Sequence, residues 1–559
     1  MFWLGKKAIS NLWGIISETR GDEKLEVYSQ FLALYLSQKL QKMSFEEVLI
    51  NIDDEKVKWA LQDVFEEQGN LIEKFKKLSV LSDQDWLEVI EELPLFDNRE
   101  NGVEKTPISI ITLADRLLDI QREDTILDIC SGSGNTLAHL SMGRDIALAG
   151  VEINPQSYIK SKLLLDILNK DTTNIILENA LKADISVFRA NKVFVNGPMG
   201  LRVPKEIYEE VIDNKYNGTA YEELLPNYDS TWLFVLDAVL HSDFEKIVVV
   251  MNESPLVNNR DSIIRKQLIQ DGLIEAVIDL PGGLLDYTSI PVSLLVLSKN
   301  NNNVSFIDAT KLGTKKRNKT ILKEDEIKEI IKALEINSEI STNRSVSEIE
   351  NEDFLLSSKR YLIPDLPFEN TIQLKDVVKA INRGAVISNK DLEKIESKKP
   401  TPYQYLELNN FTNGIVDNEL LFLKTIDSSL ERHVIKNDSL IISKMSPFKV
   451  GYIEKKERQI LVNGNFYFIE VNENKINPKY LEAYLQSELG MKELRKYEKG
   501  SVMKTISIRD LEKVKIPLLT TEEQDKIGKD FELLKREQKV IIDRISRIQE
   551  EKNNIMEVR

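Results

Sequence analysis

The 559-residue chain has a single cysteine, Cys130, and no run of apolar residues long enough to cross a membrane. One cysteine excludes an internal disulfide and a cysteine-rich zinc site, and no metal site is predicted. A membrane span needs about 18 or more consecutive apolar residues, so no membrane association is expected. The N-terminal stretch MFWLGKKAISNLWGII mixes apolar and basic residues without a small-residue cleavage site. This pattern argues against a signal peptide and favours a cytoplasmic protein.

Positive charge is also scarce: the chain has 75 lysines and arginines against 91 aspartates and glutamates, which gives a net charge of −16. Such an acidic excess argues at first against a nucleic-acid partner. However, residues 371–559 carry 34 basic and 30 acidic side chains, whereas the remainder carries 41 and 61. A mildly basic C-terminal third can bind DNA through local patches, although an uneven spread of charge without functional meaning explains the same counts.

The distribution of proline and of apolar residues divides the chain. Proline is absent before Pro94, and the stretch EVYSQFLALYLSQKLQKM keeps apolar residues at helical spacing, which predicts a helical N-terminal domain over residues 1–100. Over residues 101–365, short apolar runs such as TILDIC and KIVVVMN alternate with helical stretches. This alternation predicts an α/β, Rossmann-like domain with a parallel, doubly wound sheet.

The C-terminal part is predicted to hold an α+β domain over residues 366–520, followed by a long helix over 521–559. This helix carries Val540, Ile541, Ile545 and Ile548 on one face. An amphipathic helix of this kind packs either on its own chain or on a second copy.

The first predicted strand of the α/β domain, TILDIC, runs into the glycine-rich stretch SGSGN. Such a turn lets backbone N–H groups approach a ligand at a helix N-terminus. Eighteen residues after Gly134, the strand ALAGVEI ends in Glu152, where an acidic residue can accept hydrogen bonds from ribose hydroxyls. The three-glycine dinucleotide pattern is missing, so S-adenosylmethionine, a ribose-bearing ligand without phosphates, fits better than NAD.

Cys130 lies in the same turn. We interpret it as a small buried thiol rather than a reactive nucleophile, because no histidine or basic residue is close to it in sequence.

Taken in order, the stretches TPIS, DICSGSG, VEINP, ENA and NGPMG resemble the γ-class N6-adenine DNA methyltransferases, specifically the modification subunit of type I restriction systems. The resemblance covers roughly residues 10–362. It implies a cofactor site for S-adenosylmethionine in which Thr106 and Pro107 touch the methionine part. The remaining implied cofactor contacts are Asp128, Ser131, Gly132, Gly134, Glu152 and Asn179.

Two positions in or beside these motifs depart from the family pattern. Lys105 stands where the family has an aromatic residue before Thr-Pro, and Asn179 stands where it has an acidic contact to the cofactor's adenine. An amide can both donate and accept hydrogen bonds, so Asn179 is expected to weaken cofactor binding at most.

The catalytic turn of the family, Asn-Pro-Pro-aromatic, corresponds here to Asn196, Gly197, Pro198 and Met199. The resemblance implies that the Asn196 side-chain oxygen and the Gly197 carbonyl accept the two N–H bonds of a flipped adenine. Gly197 gives the turn more backbone freedom, and Met199 covers a base less well than an aromatic ring. Together these changes predict a loss of about 10–100-fold in rate.

Residues 371–530 resemble a single target-recognition domain of a type I specificity subunit, in stretches such as VIKNDSLIISKM, LVNGNFYFIEV and KGSVMKTISIRDLEKVKIPLL. Specificity subunits usually carry two such domains, so one copy implies a homodimer or a second specificity or modification chain. The implied partner is double-stranded DNA. Candidate phosphate contacts are Lys444, Lys449, Lys492, Arg495, Lys496 and Lys504, although each is equally well explained as an ordinary surface residue.

These observations predict a site-specific DNA adenine-N6 methyltransferase of a restriction-modification or related defence system. The alternative is a catalytically impaired relative that serves in DNA recognition or regulation, which the altered turn favours. A methyltransferase acting on RNA or on protein glutamine shares the chemistry, but the recognition-like C-terminal domain argues against it. No nuclease signature is present, so DNA cleavage would require a separate restriction subunit.

Overall fold

The structure is a computed structural model that describes residues 5–19, 26–92, 105–225, 230–285, 288–317, 319–412, 414–416, 420–454, 456–500 and 503–553. It divides into two compact units, residues 1–358 and 359–559. The predicted domain boundary at 100/101 falls outside the described residues, and those at 365/366 and 520/521 remain predictions. Within the described parts of the chain, no helix is long and apolar enough to cross a membrane.

The first unit begins with helices whose ends are set by local sequence. Ser44 and Glu47 form a reciprocal capping box at one of them, and Asp54 caps the next through the N–H groups of Lys56 and Val57. The described helices of this region are α1 (Gly5–Thr19), α2 (Val27–Lys39), α3 (Phe45–Ile50), α4 (Glu55–Glu67), α5 (Gly69–Phe75) and α6 (Asp83–Glu92).

The rest of the first unit alternates strands with helices. Its strands are β1 (Thr125–Asp128), β2 (Ala147–Glu152), β3 (Ile175–Leu177), β4 (Lys192–Val195), β5 (Lys246–Asn252), β6 (Ile274–Asp279), β7 (Val292–Leu297), β8 (Asn303–Asp308), β9 (Thr314–Lys315), β10 (Thr320–Ile321) and β11 (Ser341–Ser345). Its helices are α7 (Ile108–Leu118), α8 (Asn135–Ser141), α9 (Pro155–Ile167), α10 (Lys205–Val211), α11 (Ser230–His241), α12 (Ser254–Val257), α13 (Ser262–Gln270), α14 (Glu324–Glu335) and α15 (Val346–Glu350).

Nine of these strands form one sheet in the order β11-β8-β6-β7-β5-β4-β1-β2-β3. Strands β3, β2, β1, β4 and β5 are parallel to one another, as the alternating pattern predicts. Strand β7 departs from the predicted parallel arrangement, because it follows β6 and returns antiparallel between β5 and β6. The order 3-2-1-4-5 leaves β1 and β4 adjacent at the centre, and their carboxyl ends carry the predicted cofactor turn and catalytic turn.

The N-terminal helices pack on the sheet region through one shared hydrophobic core. Polar contacts reinforce this packing: the Tyr35 hydroxyl donates to Asp166 at 2.6 Å, and Lys39 pairs with the same carboxylate at 2.6 Å. The predicted helical region therefore shares a single compact unit with the α/β region.

The second unit contains several small sheets, of which the largest has the order β13-β21-β18-β19. Its strands are β12 (Thr371–Gln373), β13 (Val378–Arg383), β14 (Tyr403–Leu406), β15 (Phe411–Thr412), β16 (Ile415–Val416), β17 (Leu421–Leu423), β18 (Ser439–Ser443), β19 (Val450–Ile453), β20 (Gln459–Val462), β21 (Phe466–Val471) and β22 (Lys515–Pro517). Its helices are α16 (Ser358–Leu362), α17 (Leu374–Val377), α18 (Asn389–Ile395), α19 (Pro478–Gln486), α20 (Glu488–Arg495), α21 (Ile508–Glu512) and α22 (Thr521–Asn553).

Helix α22 is the predicted long C-terminal helix, and its first half packs on α19. The Lys535 ammonium lies 2.5 Å from Glu482, and Lys479 pairs with Glu532 at 3.0 Å. Gly528 allows this approach, because an added Cβ would stand 3.2 Å from the Cβ of Lys479.

Candidate active site

The glycine-rich turn after β1 lies at the carboxyl ends of β1 and β2. Ser131 donates its backbone N–H to the Val151 carbonyl at 3.0 Å, and the Gly132 N–H donates to Glu152 Oε2 at 2.8 Å. Gly132 and Gly134 have φ values of 54° and 81°, a left-handed conformation that favours glycine. The turn therefore brings its backbone against the end of β2, where the predicted ribose-binding carboxylate stands.

The two glycines of this turn have different surroundings. A Cβ added to Gly134 would stand 2.5 Å from the Ser161 hydroxyl oxygen, whereas one added to Gly132 would have no atom within 4 Å. Gly134 thus allows close packing of the turn on α9. Gly132 borders open space, where a ligand can approach the backbone.

Glu152 ends β2 and is only 9% exposed. Its Oε2 accepts the Gly132 N–H at 2.8 Å, and its Oε1 accepts the Asn154 N–H at 2.6 Å. Burial raises the pKa of Glu152, and these backbone donors partly oppose that shift. The Ile153 N–H is a third backbone donor to this carboxylate. A carboxylate has about four lone-pair sites, so the group can still accept a hydrogen bond from a hydroxyl of a ribose.

Asp128 and Cys130 flank the start of the turn. Asp128 is 1% exposed and accepts the Cys130 N–H at 3.2 Å. Burial, together with the neighbouring Glu152, raises the pKa of Asp128 to about 7. Burial also raises the pKa of the Cys130 thiol, as do the nearby Asp128, Glu152 and Asp237. A thiol with a raised pKa is a poor nucleophile, which supports the interpretation of Cys130 as an unreactive residue.

Thr106 connects the cofactor turn to the catalytic turn. Its hydroxyl oxygen accepts the side-chain N–H of Asn196 at 3.0 Å, and its carbonyl accepts the side-chain N–H of Asn135 at 2.9 Å. Thr106 is 7% exposed, and Pro107 follows it as the N-cap residue of α7. Asn135, the first residue of α8, was not singled out from the sequence, because a helix-starting asparagine carries no local signal for such a bond.

Lys105 replaces the aromatic residue of the family pattern and has a contact of its own. Its ammonium group donates to the carbonyls of Ile90 and Glu91, at 2.8 and 2.6 Å. These carbonyls lie in the last turn of α6, where a cation is favourable. Lys105 therefore connects the segment before α7 to the end of α6 by hydrogen bonds.

The catalytic turn follows β4, next to β1. Because the Asn196 amide nitrogen donates to Thr106, its Oδ1 remains the acceptor. No described residue donates to this oxygen or to the Gly197 carbonyl, and both residues are half-buried. Pro198 is exposed, and Met199 is partly buried against the core. The two acceptors that the family chemistry requires are therefore adjacent and available.

Asn179 lies just beyond β3, at the predicted adenine-binding position. Its Oδ1 accepts the Leu181 N–H at 3.0 Å in an Asx-turn, which leaves its amide N–H groups for other partners. Nearby, Lys215 donates to the Ala180 carbonyl at 3.2 Å and pairs with Asp237 at 2.8 Å. Lys215 and Asp237 were not identified as site residues from the sequence, because neither belongs to the motifs that carry the predicted cofactor and catalytic residues.

Three of the six predicted phosphate contacts already bond within the second unit. Lys444 donates to the Gly464 carbonyl, and burial, followed by the nearby Arg383, lowers the pKa of Lys444 to about 8. Lys449 donates to the Leu408 carbonyl at 2.7 Å. Lys496, which is 8% exposed, pairs with Asp365 at 2.8 Å. These bonds give the three lysines structural contacts of their own.

The other three predicted contacts differ in exposure. Lys492 and Arg495 lie exposed on α20, where Lys492 pairs with Glu488 at 2.9 Å. Lys504 is half-buried beside Met445, Ser446, Pro447 and Met503, around a cavity of about 270 Å³. The structure thus places the two α20 cations at the surface, whereas the other four candidates are half-buried or buried.

Comparison with known families matches nearly the whole chain from residue 93 onward. Residues 93–366 match the N-6 DNA Methylase family, and residues 368–557 match the type I restriction modification DNA specificity domain. Both resemblances inferred from the sequence are therefore confirmed, as is the fusion of the two domains in one chain.

Curated relatives match only part of the chain. It is 26% identical over 332 residues to the type I restriction enzyme MjaVIII methylase subunit of Methanocaldococcus jannaschii, which covers 54% of this chain and 56% of that protein. The MjaVII methylase subunit of the same organism is 26% identical over 290 residues, covering 47% and 50%. The chain thus spans about half the length of the curated relatives it matches.

Solved structures support the fold. The methyltransferase subunit of a type I restriction-modification system from Streptococcus thermophilus has a TM-score of 0.50 and 18% identity, and the match covers 63% of this chain and 98% of that one. A nuclease-deletion mutant of the type ISP restriction-modification enzyme LlaGI, in complex with a DNA substrate mimic, has a TM-score of 0.50 and 14% identity, covering 91% and 62%. At these identities the likeness shows the fold alone, and the predicted α/β methyltransferase fold is confirmed.

Proposed function

We propose that this chain methylates the N6 atom of adenine in a specific DNA sequence. The premise is that the chain joins an N-6 DNA methylase domain to a type I restriction modification DNA specificity domain. The observation that carries the proposal is the anchored Asn196. Thr106 holds its amide nitrogen, so that its oxygen and the adjacent Gly197 carbonyl remain available as acceptors. Cellular DNA is the proposed substrate, and we accordingly propose a cytoplasmic location.

The residues at the carboxyl ends of β1 and β2 fit S-adenosylmethionine. The open space beside Gly132 gives a ligand access to the backbone, and Glu152 can accept hydrogen bonds from its ribose. Thr106 and Pro107 would border its methionine part, and Asn179 its adenine. When bound, S-adenosylmethionine supplies a methyl group made electrophilic by its positively charged sulfur.

The catalytic turn would prepare the nucleophile. The N6 lone pair of adenine is delocalised into the ring, which makes it a poor nucleophile inside a base pair. A flipped adenine would donate its two N6–H bonds to Asn196 Oδ1 and the Gly197 carbonyl, and these acceptors would aim the lone pair at the methyl carbon. Fixed acceptors of this kind lower the barrier by positioning and preorganised electrostatics.

The experiment that tests the proposal expresses the full chain in a methylation-free host and maps N6-methyladenine in genomic DNA by long-read sequencing. Three versions are compared: the unaltered protein, Asn196→Ala, and the control Asn51→Ala, which changes an exposed asparagine at the end of α3. We expect one methylated sequence motif with the unaltered protein and the control, and none with Asn196→Ala.

The catalytically impaired alternative has a different outcome in the same experiment. If no version methylates DNA, even when the products of neighbouring genes are co-expressed, the proposed activity is wrong. Sequence-specific DNA binding without methylation would then favour a recognition or regulatory role.

We also propose that a second copy of this chain completes the DNA-recognition unit through α22. Ile527, Leu534, Ile541 and Ile548 recur every seven residues along this helix and are between 37% and 65% exposed. Apolar residues at this spacing form the seam of a coiled coil. A two-fold dimer would supply the second recognition domain that a single specificity domain lacks.

Analytical ultracentrifugation tests this dimer. We expect the double variant Ile541→Asp/Ile548→Asp to sediment as a monomer at concentrations where the unaltered protein is dimeric. The control Glu550→Asp, elsewhere on the same helix, should remain dimeric. An unaltered protein that is monomeric at micromolar concentrations would contradict the proposal.

A further inference from the structure

Gly197, the second residue of the catalytic turn, is not required by backbone conformation. A glycine is needed either where φ is positive or where another group approaches its Cα closely. Gly197 is absent from the positive-φ residues, which include Gly132, Gly134 and Gly200 of the same unit. The reason for this glycine must therefore lie in what surrounds it.

The aromatic ring of Phe234 occupies the space beside Gly197. A Cβ at position 197 would stand 3.0 Å from Cδ2 of this ring, 3.2 Å from Cε2 and 3.4 Å from Cγ. The optimal separation between carbon atoms is about 3.5–4.0 Å, so any side chain at position 197 would press on the ring. Phe234 is 5% exposed on α11, and its buried surroundings limit its movement.

We propose that Gly197 and Phe234 are a matched pair, in which Phe234 is a positioning residue for the catalytic turn. The ring of Phe234 packs on the turn from outside and confines it, as the family's second-position proline does from within. This inference rests on the proposed function, because its purpose is to fix the Gly197 carbonyl as an acceptor for adenine N6.

Other contacts restrict the same short segment. Pro198 disfavours the α-helical conformation for the preceding Gly197, and the Thr106 hydroxyl accepts a hydrogen bond from the Asn196 amide nitrogen. With Phe234 packed on the Cα of Gly197, each residue of the acceptor pair is held by a neighbour. The backbone freedom that glycine normally brings is thereby reduced. The turn is adapted to its surroundings rather than degenerate.

The pair makes a counterintuitive prediction for the family's own residue. Gly197→Pro, which brings the turn closer to the family pattern, should impair the enzyme, because the ring of Phe234 already fills the space that proline needs. Gly197→Ala should do the same through its single added methyl group. In each case Phe234→Leu should restore much of the loss by removing the ring.

The experiment is a double-mutant cycle on the full-length protein with Gly197→Ala, Phe234→Leu and the combination. In single-turnover methylation we expect each single change to slow methyl transfer by about 10-fold, since small misplacements in an active site are costly. The double variant should be faster than Gly197→Ala. The Kd for S-adenosylmethionine should stay within about twofold of the unaltered value. A slower rate with an unchanged Kd would not result from loss of folded protein.

Thermal unfolding gives a second readout that does not depend on activity. Gly197→Ala should lower the Tm by a few degrees. The double variant should have a Tm higher than the sum of the two single effects predicts. Because this coupling is measurable in an inactive protein, it separates failure of the pair from failure of the proposed function.

The matched control cycle uses Gly69→Ala and Phe75→Leu, both on α5. Gly69 has no atom within 4 Å of an added Cβ, and Phe75 is fully buried, so these two changes should be additive in Tm. The proposal is overturned if Gly197→Ala and Phe234→Leu are also additive in Tm, or if Gly197→Pro methylates DNA as fast as the unaltered protein.

Discussion

The two halves of the candidate active site are built in different ways. The cofactor half is held by hydrogen bonds from the backbone N–H groups of Gly132 and Asn154 to the Glu152 carboxylate, all residues that the sequence motifs already contain. The catalytic half departs from its family pattern at Gly197 and Met199. It is held instead by side chains that are distant from it in the chain, namely Thr106 of the Thr-Pro motif before α7 and Phe234 on α11.

This difference shows why a changed motif is weak evidence for lost activity. A turn can lose a rigid residue from its own sequence and regain confinement from a neighbour that packs on it. The cofactor half should therefore be sensitive to changes within its motifs. The catalytic half should also be sensitive to changes in the distant residues that support it.

The largest expected effect comes from removing the acceptor itself. Asn196→Ala should reduce single-turnover methyl transfer by about 10²–10³-fold, because one preorganised polar contact at the reacting centre is lost. Binding of S-adenosylmethionine, measured by calorimetry, should be unchanged. A comparable loss of cofactor affinity would mean that Asn196 belongs to the cofactor half.

The next effect tests the cofactor half. Glu152→Gln should raise the Kd for S-adenosylmethionine by about 10–100-fold, because a charged acceptor that holds two backbone N–H groups is replaced by a neutral amide. Calorimetric titration measures this change, and Glu66→Gln, an exposed change on α4, is the control. An unchanged Kd would remove Glu152 from the proposed site.

A smaller effect is expected at the support that joins the two halves. Thr106→Val keeps the shape of the side chain but cannot accept the Asn196 N–H, so kcat should fall by about 10-fold. Thr106→Ser keeps the hydroxyl and should retain most of the rate. Steady-state kinetics on DNA separate the two variants, and equal losses in both would show that the methyl group of Thr106, not its hydroxyl, is important.

The smallest effect concerns stability and pH. The folded protein holds a proton on Asp128 up to a pKa of about 7, whereas an unfolded aspartate releases it near pH 4. The folded state therefore binds more protons between these values, and its stability falls as the pH rises through this range. Asp128→Asn removes this dependence. The Tm of the variant minus the Tm of the unaltered protein should therefore increase between pH 5 and pH 8 in the absence of cofactor.

Circular dichroism melts at several pH values measure this trend. Asn51→Ala, which changes an exposed, non-titratable asparagine at the end of α3, serves as the comparison, and its Tm difference from the unaltered protein should not change with pH. If the Tm difference for Asp128→Asn is constant with pH, the carboxyl group of Asp128 does not titrate in this range.

Much of the fold followed from local pattern. The alternation of apolar runs and helical stretches predicts the parallel strands β1 to β5, and the long amphipathic helix is observed as α22. The antiparallel insertion of β7 between β5 and β6 did not follow, because a buried strand is apolar throughout whichever way it runs. Likewise, the basic residues of the C-terminal unit are similar in sequence, and only their contacts separate buried Lys496 from exposed Arg495.

The sequence by itself determined the family, the order of the two domains, and the residues that meet at the carboxyl ends of β1, β2 and β4. It could do so because glycine turns, strand-ending carboxylates and their spacing are local features. The tertiary structure decided how the catalytic turn is held. The Asn196–Thr106 bond and the approach of Phe234 to Gly197 join residues far apart in the chain, and such contacts exist only once the sheet has brought them together.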